Sequence, residues 1–435
     1  MAGNEQIRPG RLSPEEIAEN FSDLHPPLTR SEALIEADRC YFCYDAPCTT
    51  ACPTEIDIPG FIQKIRSDNL RGSAHTILRE NIMGGMCARV CPTEVLCEEA
   101  CVRNTHEEKP VEIGLLQRYA TDPIFDQDIQ LFTRAPATGK KVAVVGGGPA
   151  GLSCAHRLAM LGHDVVVINR DDKPGGLNEY GIAAYKAVNE FAQTEVEYIL
   201  SIGGIELRNN TALGIDVELN ELRKDFDAVF LSVGLAQSND LDIPGEDLPG
   251  VVNAIHYIAD LRQAADKSQL PVGRDVVVIG GGMTAIDVAV QSKRLGAEQV
   301  HLVYRRGPEQ MGASVFEQAL AQTSGVMIHH WASPDRIVGD GFATGVDFSV
   351  ADSDEGMHLN ADIVFKAIGQ NMDGRGTDAI KQEGGRFVVD EQQRTSLDGV
   401  WAGGDCVVGG DDLTVSAVQH GKVAALDIDR ALRNT

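Results

Sequence analysis

Eight of the ten cysteines fall between positions 40 and 101, as Cys40-x2-Cys43-x4-Cys48-x3-Cys52-Pro53 and Cys87-x3-Cys91-Pro92-x4-Cys97-x3-Cys101. A cubane 4Fe-4S centre takes four protein ligands, so the count suits two clusters and hence a one-electron wire. Short spacings let one loop supply three ligands, while the last cysteine of a run can cross to the neighbouring cluster. A disulfide framework would suit a short secreted domain, but the polar stretch from Met1 to Gly10 has no signal-peptide core. Zinc competes more strongly, since Cys40-x2-Cys43 could be half of a four-cysteine site. The x4 and x3 spacings and both Cys-Pro steps fit iron–sulfur better. Cys154 and Cys406 stand apart and read as small buried residues, and the eleven histidines, His329-His330 included, form no ligand spacing.

A second chemistry is written in glycine. Lys141-Val-Ala-Val-Val-Gly146-Gly147-Gly148-Pro149-Ala150-Gly151 reads as a buried strand, a tight turn and a helix running to Leu161, with another strand over 164–168. Gly146 permits the turn, Gly148 admits a pyrophosphate to the backbone, and Gly151 allows close helix–strand packing. The acid that usually receives a ribose hydroxyl at the end of the second strand is replaced by Asn169. A second copy, Asp275-Val-Val-Val-Ile-Gly280-Gly281-Gly282-Met283-Thr284-Ala285, precedes a strand over 299–303 and Tyr304-Arg305-Arg306. Arginines there favour a 2′-phosphate and hence NADPH, the alternative being a solvated strand end. Asp227 to Gly234 and Asp362 to Gly369, the latter including Ala367, are matching hydrophobic strands closing on glycine. Near the end, Gly403-Gly404-Asp405 and Leu413-Thr414 suggest an acidic turn and a helix N-terminus able to face an electron-rich flavin ring.

Helices are needed to frame the cysteine loops. The pattern predicts them over 31–39, over 58–67 with Phe61, Ile62 and Ile65 on one face, and over 113–121 with Gln117. The first 29 residues read as an arm with one short helix, N-capped by Ser13 with Pro14 at its first position. Residues 123–138 lack periodicity and mark a domain boundary. A chain of 435 residues with net charge −26 has ample core and disfavours nucleic-acid partners. With no apolar run near the roughly 20 residues of a membrane span, it is expected in the cytoplasm.

Gly146-Gly-Gly-Pro-Ala-Gly151, Gly175-Gly176-Leu177, Tyr180-Gly181-Ile182, Gly280-Gly-Gly-Met-Thr-Ala285, Tyr304-Arg-Arg306 and Ala402-Gly-Gly-Asp405 together resemble the glutamate synthase small-subunit family. That family includes the N-terminal half of dihydropyrimidine dehydrogenase and its separate bacterial NAD(P)-linked subunit. The resemblance implies a helical iron–sulfur domain followed by α/β structure, with two nested Rossmann-like dinucleotide-binding domains. The implied bounds are an arm over 1–29, two 4Fe-4S clusters in 30–138, a discontinuous FAD domain over 139–250 and 370–435, and an NAD(P)H domain over 251–369. FAD would meet Gly146, Gly148, Ala150, Gly151, Asn169, Gly176, Leu177, Lys186, Gly404, Asp405, Leu413 and Thr414. NAD(P)H would meet Gly280, Gly282, Met283, Thr284, Arg305, Arg306, Ala367 and Gly369. Met283, usually Asn in the family, and Gly312, usually Pro, depart from the pattern.

Asp45-Ala-Pro-Cys48, the two Cys-Pro-Thr steps and Gln117 resemble the dihydropyrimidine branch, where a glutamine ligates iron. By that likeness one cluster takes Cys40, Cys43, Cys48 and Cys101, and the other Cys52, Cys91, Cys97 and Gln117. Counting thiols alone would use Cys87 instead. The chain offers no segment for an FMN barrel, so the leading expectation is the electron-input subunit of a dihydropyrimidine dehydrogenase, working with an FMN-containing catalytic subunit in a heterotetramer. No acid or base is assigned. Glutamate synthase, or an NAD(P)H–ferredoxin transhydrogenase, is the second reading, and a non-enzymatic zinc scaffold the third. The absence of cysteine from 251–369 argues against a dithiol relay.

Overall fold

Two runs of β-branched residues, Lys141–Val145 and Asp275–Ile279, become the central strands of two separate parallel sheets. Such strands are covered on both faces and therefore read as continuous Val and Ile rather than alternating. The computed structural model describes residues 6–433. The first sheet has the order Val400–Ala402, Ala228–Leu231, Lys141–Val145, Asp164–Ile168, Ile205–Arg208, all parallel. Its outermost strand comes from the far end of the chain, so this domain is discontinuous, as expected. The second sheet runs Val251–Asn253, Ile363–Lys366, Asp275–Ile279, Gln299–Val303, Met327–His329, again parallel. A three-stranded antiparallel sheet, Ala332–Val338, Gly345–Val350 and Met357–Asn360, was not legible in the sequence.

The chain divides into two compact units. The smaller comprises 6–24, 180–188 and 237–371; the larger comprises 25–179, 189–236 and 372–433. The helical cysteine region and the first nucleotide fold thus share a unit, and the inserted segment is longer than 251–369. The antiparallel pair Gln237–Ser238 and Gln370–Asn371 ties its entry to its exit.

The arm up to Leu24 is part of the smaller unit. Its helix Pro14–Asn20 carries the Ser13–Glu16 capping box, and Ile17 and Phe21 are buried in the smaller unit's core beside Ile258, Val290 and Leu295. Arg294 donates to the Asn20 carbonyl at 2.7 Å, and the Asn20 amide donates to the Arg294 carbonyl at 3.0 Å.

In the larger unit, helices Arg30–Asp38, Ile58–Arg66, Leu70–Glu80, Gly84–Val90 and Ile113–Asp126 surround the cysteines. The last continues through Pro123, where a boundary was expected. Ala33, Ala37, Ile58, Phe61, Ile62, Ile65 and Leu116 form the core against which the cysteine loops pack. Among the described residues no helix is long and apolar enough to cross a membrane.

Candidate functional site

The thiols lie near enough to influence one another, although among the described residues no three His, Cys, Asp or Glu side chains already stand in metal-holding geometry. Cys40 feels Cys43 and Cys101, and Cys48 feels Cys40 and Cys101; Cys91 feels Cys87, Cys97 and Cys52, while Cys97 also feels Cys48. The first set is the quartet expected for one cluster. In the second, Cys87 stands with the three expected cysteines. Burial first, then its thiol neighbours, pushes Cys48 up to about 12. Cys91 is raised by its hydrogen bond with Cys87, then by burial, and Cys97 by burial and then Glu98. Clustered thiols in a low dielectric ionise only beside strong positive charge, and iron centres supply it.

The loops are shaped for anionic sulfur. The Phe42 N–H donates to Cys40 Sγ at 3.4 Å and the Val111 N–H to Cys101 Sγ at 3.5 Å. Phe42 and Ala46 adopt left-handed φ of 53° and 31°, curling the backbone around the first set. Gln117 is buried, and its Nε2 donates to the Gly84 carbonyl at 2.7 Å. That bond leaves the carboxamide oxygen as the atom with lone pairs to offer a metal.

At the first glycine turn, Gly146 has φ +107°, and a Cβ there would lie 2.1 Å from the Ser232 carbonyl oxygen. Gly176, at φ +55°, faces Gly148 so closely that its Cβ would come 2.8 Å from the Gly148 Cα. Two backbones stripped of side chains make a cradle that fits a pyrophosphate. Ala150 is buried on the helix Pro149–Met160, Gly151 packs against the turn, and Leu177 is exposed. Asn169 is buried too. Its amide nitrogen donates to the Asp171 and Lys173 carbonyls at 2.8 and 3.1 Å, so it braces the following loop, and only its oxygen faces Gly147.

Gly404, at φ +94°, donates its N–H to His420 Nδ1 at 3.1 Å, and burial followed by Asp412 pushes Asp405 up to about 6. Thr414 opens the helix Thr414–Arg433 and donates to Asn178 Oδ1 at 2.7 Å. Val415 is buried in the cysteine core, with Leu413 packed against it. The helix start expected to meet a flavin therefore also touches the residues that hold the thiols.

The second turn repeats the first. Gly280 has φ +147°, and a Cβ there would lie 2.2 Å from the Ala367 carbonyl oxygen, as Gly146 meets Ser232. Gly282 caps the helix Met283–Arg294, nothing lies within 4 Å of a Cβ placed there, and Met283 and Thr284 are half-buried. Gly369 is left-handed at φ +99°, and Arg305 and Arg306 are exposed just past the strand Gln299–Val303. An open turn, with two exposed arginines past the next strand, fits a phosphorylated dinucleotide.

Lys186 is held by two carboxylates. It belongs to the smaller unit, where its Nζ lies 2.7 Å from Asp287 Oδ1 and 2.6 Å from Glu317 Oε1. Glu195 was missed altogether, because nothing in its own helix marks it: the backbone it serves belongs to residues 85 and 86.

Residues 140–421 match the sequence profile of the pyridine nucleotide-disulphide oxidoreductases, and residues 17–129 that of dihydropyrimidine dehydrogenase domain II, a 4Fe-4S cluster domain. A Salmonella typhi homolog of the NAD-dependent dihydropyrimidine dehydrogenase subunit PreT is 34% identical over 95% of this chain and 98% of its own. The NADPH glutamate synthase small chain of Escherichia coli K12 is 34% identical over 93% of this chain and 92% of its own. Mycobacterium tuberculosis FprA, solved with NADPH, shares the fold at TM-score 0.57 and 19% identity, covering 69% of this chain and 85% of that one.

Proposed function

Because this chain belongs to the pyridine nucleotide-disulphide oxidoreductase family, in the iron–sulfur branch that contains the PreT subunits and the glutamate synthase small chains, we propose that it is the electron-input subunit of a dihydropyrimidine dehydrogenase. It is an oxidoreductase of FAD, NAD(P)H and 4Fe-4S centres. When bound, the flavin converts the two-electron hydride of the nicotinamide into single electrons for the clusters.

The chain's own contribution is binding and insulation. Gly146, Gly148, Gly151 and Gly176 would present bare backbone to the FAD pyrophosphate, and Asp405 and the start of the helix Thr414–Arg433 would hold the rest of the flavin nucleotide. Gly280, Gly282, Met283 and Thr284 receive the nicotinamide dinucleotide, with Ala367 and Gly369 closing the turn and Arg305 and Arg306 holding its ribose phosphate. Cys40, Cys43, Cys48 and Cys101 ligate one cluster; Cys52, Cys91 and Cys97, with Gln117 as fourth ligand, the other. Cys87 is then a thiol neighbour. No side chain is needed as acid or base.

The observation that carries this reading is the burial of Val415 in the cysteine core, with Leu413 packed against it, which puts the start of the helix Thr414–Arg433 and the thiol loops in one packed cluster. The electrons leave to an FMN-bearing subunit in a cytoplasmic heterotetramer that reduces uracil or thymine. Anaerobically purified protein should be brown and bleach with NADPH or NADH, and with its FMN partner should oxidise the nicotinamide only when uracil or thymine is present. The equal identity to a glutamate synthase small chain supports a second reading, for which the required pair would be glutamine and 2-oxoglutarate.

A further inference from the structure

One buried carboxylate belongs to neither glycine turn and neither thiol set. Glu195, on the helix Phe191–Leu200, is 0% exposed. Its Oε1 accepts from the Gly85 N–H at 2.8 Å and the Met86 N–H at 3.0 Å. These amides open the helix Gly84–Val90, which carries Cys87 and delivers Cys91 at its C-cap. Oε2 is buried and has no hydrogen-bond partner among the described residues.

The groups around it leave its charge only partly compensated. Arg89 lies over the Phe191 ring at 3.4 Å, donates to the Gly85 carbonyl at 3.0 Å and pairs with Asp122 at 2.9 Å. Its charge is therefore shared between Asp122 and Glu195. Arg118 also pairs with Asp122, at 3.0 Å. From the helix Pro149–Met160, the titratable groups are Arg157, Cys154, whose thiol burial keeps protonated, and His156, whose imidazole burial keeps neutral at about 3. Burial outweighs the two N–H groups and Arg89, and pushes Glu195 up to about 8.

Resting on the iron–sulfur reading above, we propose that Glu195 is a positioning residue for electron transfer, its Oε2 taking up a proton as the cluster held by Cys52, Cys91 and Cys97 gains an electron. One electron, originating in NAD(P)H, enters the cluster, and one proton from water forms the O–H bond at Oε2, so the interior's net charge is unchanged. Reoxidation releases both. The driving force is the cost of adding uncompensated negative charge in a low dielectric beside an existing carboxylate.

The test is a potentiometric titration of the holoprotein between pH 6 and 10, read by the electron paramagnetic resonance signal of each cluster. For one cluster, reduction should be independent of pH below Glu195's value and become up to tenfold harder per pH unit above it, about 59 mV for one electron. Glu195→Gln keeps the acceptor for both amides and should abolish the slope. A structural role alone would change cluster content and leave the slope in place. A wild-type potential flat across the range, or a slope that persists in Glu195→Gln, overturns the proposal. Should that variant not assemble, Glu195→Asp carries the test, and an unmoved break overturns it. A holoprotein without iron overturns the function and the proposal together; one with both clusters and no slope overturns the proposal alone.

Discussion

Replacing Lys186 with Met tests where that residue acts. In the smaller unit its Nζ lies 2.7 Å from Asp287 and 2.6 Å from Glu317, with the three side chains 8%, 7% and 10% exposed. Burial alone would lower the ammonium, and the two carboxylates outweigh it, holding it above its ordinary value of 10.5. Removing the cation leaves two buried carboxylates facing each other, a loss of about 3–5 kcal/mol. At roughly 2–4 °C per kcal/mol for a unit of this size, the melting transition of the smaller unit should fall by about 6–20 °C. A raised ammonium stabilises the fold below its unfolded value and ceases to as pH climbs through the folded one, so the deficit should be constant from pH 6 to 9 and shrink above 10.5. Differential scanning calorimetry reads the deficit, and flavin content per chain, measured alongside, should be unchanged. Adding Asp287→Asn and Glu317→Gln should recover most of the loss. A transition within about 2 °C of wild type, or flavin lost at an unchanged transition, would refute the ion-pair argument and return Lys186 to the first nucleotide.

Asp405→Asn should stabilise flavin-free protein at pH 7–8 by roughly 3 kcal/mol at most. Because burial raises this carboxyl from 3.8 to about 6, the wild type loses stability as pH rises between those values, and urea midpoints of the two proteins should converge below pH 4. Cys48→Ser and Cys91→Ser should each lower iron by about half without touching flavin content. Replacing Gln117 by Leu should do the same while Cys87→Ala spares the iron, and loss of iron only in Cys87→Ala would make Cys87 the ligand. Replacing Arg305 and Arg306 together by Ala should weaken NADPH at least ~10-fold in a binding titration and leave NADH unaffected, since only the former presents a phosphate to bare guanidinium groups.

The local signals in this chain were self-sufficient. Ser13 and Glu16 make a capping box because both partners lie within one helical turn. The two Val-rich strands end in glycine turns because only glycine accepts φ of +107° and +147° with a carbonyl 2.1 and 2.2 Å from where a Cβ would sit. The cysteine spacings likewise state a ligand count within single loops. Through the same logic the matching hydrophobic strands at 227–234 and 362–369 announced a duplicated architecture.

What tertiary structure decided is every pairing that crosses a long stretch of chain. Cys101 comes beside Cys40 and Cys48 across a long stretch of chain, in the core that the helix Ile113–Asp126 shares with the helices before it. The arm reads as polar and aperiodic, yet Ile17 and Phe21 find a core whose other buried residues all lie at position 183 or beyond. Lys186 follows a glycine-rich segment that suggests the first nucleotide, and its partners at 287 and 317 draw it into the other unit. Glu195 is an ordinary acid on an amphipathic helix until the fold removes its water and sets it against the amides of residues 85 and 86. The sequence by itself determined the chemistry available, since ligand type and turn geometry are local properties; burial and charge compensation depend on distant neighbours, and those only the folded chain supplies.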